Sequence, residues 1–205
     1  MQARPTVVVL AAGKGSRFKG PAHKLEQSLG ECSVLARTLH NALASHLPVA
    51  VVTTPALAAL AAGVVGERDV IVLPPQQAER GMGDSIAAGI AARADAPGWL
   101  LLPGDMPMVR PATLLAVAAA LEHHAVAYAQ YHGRRGHPVG FAAELYSELM
   151  MLSGDEGARR IVARYPAIGV DVEDPGVLLD LDTEADLAAM RALQAQEPRT
   201  AGDAA

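Results

Sequence analysis

VVVLAAGKGSRFKGPAHK, residues 7–24, passes from a β-branched apolar run into a loop that carries glycine. A short valine-rich run that stops at Gly13 reads as a strand buried on both faces of a sheet. The loop after it holds Lys14, Arg17, Lys19, His23 and Lys24 and no acidic residue. The chain as a whole carries a formal net charge of -5, so a cationic loop at a strand end has a local cause. An anionic ligand with several charges, such as a nucleoside triphosphate, supplies one.

Outward from this stretch, strands and helices alternate. Residues 34–45 place Val34, Leu35, Leu39 and Leu43 at helical spacing, residues 49–53 read as a second strand, and Pro55 opens a helix rich in Ala and Leu. Residues 70–73 read as a third strand and 84–94 as a helix entered through Gly81-Met82-Gly83. Residues 99–102 form a fourth strand stopped by Pro103-Gly104, and 111–122 a further helix. This succession predicts an α/β fold on a mostly parallel sheet. After about residue 125 (an estimate of the boundary) the pattern changes. Segments 126–131 and 137–141 flank Gly133 and Gly136 and predict a short antiparallel excursion. Helices over 142–151 and 155–164, strands near 168–171 and 177–181, and a helix from Thr183 complete the expectation.

The 205 residues show no interior linker, so one domain over 1–193 is expected, with 194–205 as a flexible tail. Half the residues are hydrophobic (51%) and few are aromatic (3%), which implies a core of Ala, Val and Leu packed between helices and sheet. The negative charge excludes a general nucleic-acid binder, which wants a broad basic surface. A single cysteine, Cys32, allows no intrachain disulfide and suits a reducing cytoplasm. The run 7–12 is too short to span a membrane and lacks the pattern of a signal peptide. A cytoplasmic protein with no membrane partner is expected.

Two common nucleotide motifs fail on the first loop. A dinucleotide fingerprint needs a third glycine where Phe18 stands, and the second strand ends in Thr53-Thr54 with no acid for a ribose. A Walker loop needs Lys and Ser or Thr after Gly20, where Pro21-Ala22 stand.

A third pattern fits. Leu10-Ala11-Ala12-Gly13-x-Gly15-x-Arg17-Phe18, followed by Lys24, resembles the signature of molybdenum cofactor nucleotidyltransferases. Gly81-Met82-Gly83-x-Ser85, with Gln76 before it, resembles their second nucleotide loop, and Gly104-Asp105-Met106-Pro107 their metal-binding turn. Segments 136–141, 153–159 and 180–187 resemble later motifs of the family in the same order. The similarity is greatest to the cytidylyltransferases. One departure is the run from Phe18 to Lys24, longer and more basic than the usual form, with Lys19 and His23 as alternative cations.

The resemblance implies a three-layer Rossmann-like nucleotidyltransferase fold and a set of site residues. Leu10, Ala11, Ala12, Gly13, Gly15, Gln76, Gly81, Gly83 and Ser85 would face the nucleotide, and Arg17 and Lys24 would hold its phosphates. Asp105 and Asp182 would share Mg²⁺, and Arg134, Arg135, His137 and Asp155 would face the acceptor. Residue chemistry agrees: small residues let backbone N–H groups approach phosphate, and Mg²⁺ takes one or two carboxylates plus phosphate oxygens. Asp182-Thr183-x-x-Asp186 also has the form of a helix N-cap, and Asp105 that of a turn cap.

The implied reaction moves a nucleoside monophosphate onto the phosphate of molybdenum cofactor (molybdopterin carrying molybdenum) and releases pyrophosphate. A phosphate monoester, with a second pKa of about 6, is already a nucleophile, so no general base is needed. Guanylyl-transferring relatives have Leu-Ala-Gly-Gly where this chain has Leu10-Ala11-Ala12-Gly13, and the added methyl favours CTP over GTP. A molybdenum hydroxylase would receive the product. Transfer to another small phosphate ester, such as a sugar 1-phosphate, and a cofactor carrier with little activity are the competing expectations.

Overall fold

In the computed structural model, which describes residues 4–20, 22–155 and 157–196, the valine-rich run forms β1 (Thr6–Ala11). A hairpin of β2 (Ser28–Leu29) and β3 (Cys32–Ser33) leads into α1 (Val34–Ala44), which Ser33 caps by accepting from Ala36 N at 3.2 Å. Then come β4 (Val49–Thr53) and α2 (Pro55–Val65), started by its proline, then β5 (Val70–Val72). Two helices, α3 (Pro75–Ala78) and α4 (Met82–Ala91), precede β6 (Gly98–Pro103), and α5 (Pro111–Ala120) follows it. The antiparallel excursion is the hairpin of β7 (Val126–Tyr131) and β8 (Arg134–Ala142). The chain continues through α6 (Tyr146–Met150), α7 (Arg159–Arg164), β9 (Ala167–Asp171) and α8 (Glu184–Gln196).

Among the described residues seven strands form one sheet in the order β5-β4-β1-β6-β8-β7-β9. Only β8 runs against the rest, pairing antiparallel with β6 and β7 while every other pair is parallel. Successive strand side chains point to opposite faces. Val7 and Val9 therefore join one buried cluster with Leu35 and Leu39 of α1, Leu57 of α2 and Leu114 of α5. Val8 joins the other with Ile86 and Ile90 of α4, Leu149 of α6 and Ile161 of α7. Helices cover both faces, so the fold is the expected three-layer α/β arrangement. No helix among the described residues is long and apolar enough to cross a membrane.

Three local expectations are corrected. Residues 177–181 are not a strand: Pro175–Leu178 make a 3₁₀ turn, and Leu181 N donates to Asp105 O at 3.0 Å rather than to a sheet neighbour. Residues 142–151 split into a 3₁₀ turn (Ala143–Leu145) and α6. Helix α7 starts at Arg159 rather than at 155, so Asp155 lies in the turn before it. At the chain end α8 continues through Gln196 and takes in residues 194–196 of the tail expected over 194–205; residues 197–205 lie outside the described residues.

The 3₁₀ turn is held by Asp174, which is 2% exposed. Its Oδ2 accepts from Arg110 N at 2.8 Å and Thr113 Oγ1 at 2.6 Å, and its Oδ1 from Gly176 N at 3.0 Å. One carboxylate thus joins the start of α5 to the segment that leads to Asp182. Asp174→Ala strands these donors in the interior and is expected to cost about 2–4 kcal/mol of stability. Urea unfolding measures this, and Asp174→Asn should recover part of the loss.

Candidate active site

The chain crosses the sheet from β1 outward to β4 and β5, then returns to the other side of β1 with β6. This reversal opens a crevice beyond the carboxyl ends of β1 and β6, where open α/β sheets place ligands. A cavity of about 420 Å³ lies there. Leu10 to Arg17 line it with Lys24 and Leu25, and Pro103 and Asp105 close the β6 side. Ala78, Glu79, Gly81, Met82 and Ser85 come from the α3–α4 region, and Asp155 and Asp182 from later in the chain.

The floor of the first loop is open because its residues are small. A Cβ on Gly13 would meet no heavy atom within 4 Å, whereas one on Gly15 (φ +60°) would press on the Lys24 stem at 3.1 Å. His23 pins the far end of the loop. Its Nε2 donates to Gly13 O at 3.1 Å and its Nδ1 accepts from Leu25 N at 3.2 Å. Leu25 is buried and anchors the turn that follows. Of the three alternative cations it is therefore Lys24 that reaches the cleft. Lys19 is exposed and lies outside the cavity lining, and His23 serves as a pin.

Lys24 enters a cluster of oxygens. Its Nζ lies 2.6 Å from Asp105 Oδ2, 3.3 Å from Asp182 Oδ1 and 2.8 Å from Leu181 O. Arg17 reaches the other oxygen of Asp182, with 2.6 Å between Nη1 and Oδ2. The side chains of Lys24, Asp105 and Asp182 are 11%, 17% and 20% exposed, against 77% for Arg17. The first three thus form a partly desolvated core of charge, and Arg17 is a solvated flank. At the mouth, Lys14 pairs with Glu79 across the cavity at 3.1 Å.

Backbone contacts bring the two carboxylates together. Gly104 N donates to Leu10 O at 2.8 Å, and Thr38 Oγ1 donates to Gly104 O at 2.9 Å, fixing the turn after β6. The bond from Leu181 N to Asp105 O then sets Asp182 beside Asp105. Asp182 is not the cap of α8. Thr183 and Asp186 form that box, with Asp186 N donating to Thr183 Oγ1 at 3.2 Å and Asp186 Oδ2 accepting from Thr183 N at 2.7 Å. The Thr183 hydrogen bonds hold the Asp186 carboxyl below its usual range. Asp182 keeps its carboxylate for the cleft. Burial pushes the neighbouring Asp180 carboxyl upward, and the charges of Asp182 and Asp105 push it the same way.

Other expected site residues divide. Ser85 is buried in the first turn of α4 on the cavity wall, and Gly81 (φ +127°) forms the bend before it. Gly83 is buried in the first turn of α4 and does not line the cavity; its N–H donates to Gly154 O at 2.8 Å, and a Cβ there would collide with the Ser153 backbone. Gln76 is exposed on α3 and does not line the cavity. Arg134, Arg135 and His137 also fall outside the lining, and the Arg135 guanidinium sits 4.4 Å over the Tyr128 ring. His137 nonetheless feels Asp105, which raises its pKa while burial, Arg135 and Arg159 lower it, with burial dominant. Sequence reasoning missed Ser16, Leu25, Ala78, Glu79 and Pro103 as lining residues, and named Met82 in a motif without giving it a role. Only the approach of α3 to the first loop marks Ala78 and Glu79.

Asp105 Oδ1 is buried with no hydrogen-bond partner. An orphaned carboxylate oxygen beside a second carboxylate and a carbonyl is a donor set for a hard divalent cation such as Mg²⁺ or Mn²⁺. Among the described residues no group of three or more His, Cys, Asp and Glu side chains is placed to hold a metal. Such an ion would draw further ligands from water and phosphate.

The description "MobA-like NTP transferase domain" belongs to a family whose model matches residues 7–168. The purine catabolism protein PucB of Bacillus subtilis is 32% identical over 114 residues, covering 53% of this chain and 55% of PucB. The chain thus aligns with about half the length of that relative. Crystallographic Rv0371c from Mycobacterium tuberculosis superposes with a TM-score of 0.77 at 30% identity, over 92% of this chain and 98% of that one. A structure of Rv0371C in complex with manganese matches at 0.74 and 28% over the same shares. The chain belongs to the MobA-like NTP transferase family.

Burial keeps the His137 imidazole neutral, so its folded-state pKa lies below that of the unfolded chain. The unfolded state then binds the extra proton between the two values, and stability conferred by His137 falls as pH drops through that window. An NMR titration should give His137 a midpoint below the ordinary histidine value. Asp105→Asn should lower it further, because the Asp105 charge is what holds it up.

Proposed function

We propose that this member of the family transfers CMP from CTP onto the phosphate of molybdenum cofactor and releases pyrophosphate. The observation that carries it is the convergence of Lys24, Arg17, Asp105 and Asp182 on one cleft beneath an open glycine-lined floor. Two cations and two carboxylates from three chain segments suit a polyphosphate and a divalent ion. Ala12, 3% exposed, lines the cavity, and its methyl supports a pyrimidine over a purine.

The loop backbone over Ala12 to Gly15 and the Arg17 and Lys24 side chains would grip the triphosphate. An oxygen of the acceptor phosphate attacks the α-phosphorus. The bond from that phosphorus to the bridging oxygen breaks, and pyrophosphate leaves with the electron pair. Asp105 and Asp182 would hold the divalent ion, Mg²⁺, which when bound offsets negative charge at the transferred phosphoryl group. The acceptor, already anionic, needs no base, so the protein's work is alignment and charge neutralisation. Asp155 on the cavity wall would face the acceptor, and His137, outside the lining but within the field of Asp105, would lie toward it. Arg134 and Arg135 do not line the cavity, and this favours a second reading in which the acceptor is another small phosphate ester, such as a sugar 1-phosphate.

The decisive assay mixes protein, Mg²⁺, each labelled nucleotide in turn and either molybdenum cofactor or a sugar 1-phosphate. Pyrophosphate release and product mass are the readouts, and CTP with the cofactor is the expected pair. Preference for GTP would overturn the assignment of the base. Ala12→Gly should narrow the CTP preference by about tenfold. Asp105→Ala should lower kcat by about 10²–10³ while CTP affinity changes far less. Equal loss of turnover and binding would make Asp105 a structural residue.

A further inference from the structure

Three features of Lys24 point beyond phosphate binding. Its ammonium is ringed by Asp105 Oδ2 at 2.6 Å, Leu181 O at 2.8 Å and Asp182 Oδ1 at 3.3 Å. These are oxygens of the kind a hard divalent ion takes. The side chain is 11% exposed, with its stem under Gly15 and its turn anchored by buried Leu25, so it is not free to swing into bulk water. The open space at Gly13 lies in the same cavity as the ammonium.

We infer that Lys24 holds the seat of the divalent ion until a polyphosphate arrives, so that the ion binds well only with the nucleotide. This rests on the transferase reading and adds an order of binding to it. An ion arriving alone must evict an ammonium that is already paired and largely desolvated, and the two positive charges would then face each other. A polyphosphate on the floor gives Lys24 a new partner. The exchange balances charge: Lys24 and Arg17 leave two carboxylates, and one divalent ion takes their place. Arg17 does not share the role. It is 77% exposed and, among the described residues, its ion pair is with Asp182, so water can receive it. Lys24 is thus a positioning residue for the ion as well as a phosphate ligand. Nucleotide and ion become coupled ligands, each raising the affinity for the other.

The test reads Mn²⁺ binding to the full chain without nucleotide, by the loss of the free-ion electron paramagnetic resonance signal. Wild type is expected to bind weakly, and Lys24→Met about tenfold more tightly or better. Arg17→Met removes the same formal charge and should change affinity by less than about threefold. Lys24→Gln serves as a second variant, and circular dichroism checks that each is folded. Equal gains in Lys24→Met and Arg17→Met would show a general field effect and overturn the inference. Tight binding by wild type with no gain in Lys24→Met or Lys24→Gln would overturn it as well, while leaving the ion site standing. If neither Lys24 variant binds Mn²⁺ the inference also fails, and if wild type with CTP fails too, the transferase reading falls with it.

Discussion

One ammonium group among the oxygens of two carboxylates and a carbonyl organises the cleft. Asp105 and Asp182 are placed side by side by backbone hydrogen bonds, and two like charges so close repel unless a cation lies between them. Lys24 is that cation, and Arg17 completes the balance from the solvent side. The same contact ties together three distant segments: the first loop, the turn after β6 and the approach to α8. A site assembled this way is neutral without its ligand and carries the charges needed to receive one.

The scaffold explains why those segments meet. β1 is buried between β4 and β6, and the chain reverses direction across it, so the loops after β1 and β6 open on one crevice. The third segment reaches the crevice through the hydrogen bond from Leu181 to Asp105, with Asp174 bracing the turn before it. β8 runs against the rest of the sheet and delivers His137 within the field of Asp105. Small residues leave room at the floor beside the largely desolvated charges of Lys24, Asp105 and Asp182.

Much of this was legible in the chain itself where burial decides local structure. The strands at 49–53 and 126–131 match their expected bounds, because continuous apolar runs between turn residues have few other ways to bury themselves. The same logic failed at 177–181. Val177, Leu179 and Leu181 alternate as a strand would, yet the Asp174 side chain takes the Gly176 N–H and turns the chain into a 3₁₀ bend. At the site, Lys24 and Asp105 stood out as motif residues, but Asp182 could be read as ligand or helix cap until Thr183 and Asp186 were seen to form the cap themselves. Ala78 and Glu79 gave no signal, because they line the cleft only through the placement of the short helix α3.

The sequence by itself determined the layers, the cationic loop and the residue types the chemistry needs, since apolar periodicity, glycine and charge act over a few residues. The tertiary structure alone decided which charges meet. Lys24 rather than Lys19 or His23 reaches the carboxylates because His23 is pinned to Gly13 and Leu25 is buried beneath the turn. Distances between residues far apart in the chain depend on how the strands are ordered and where each loop is anchored, and no local pattern encodes that order.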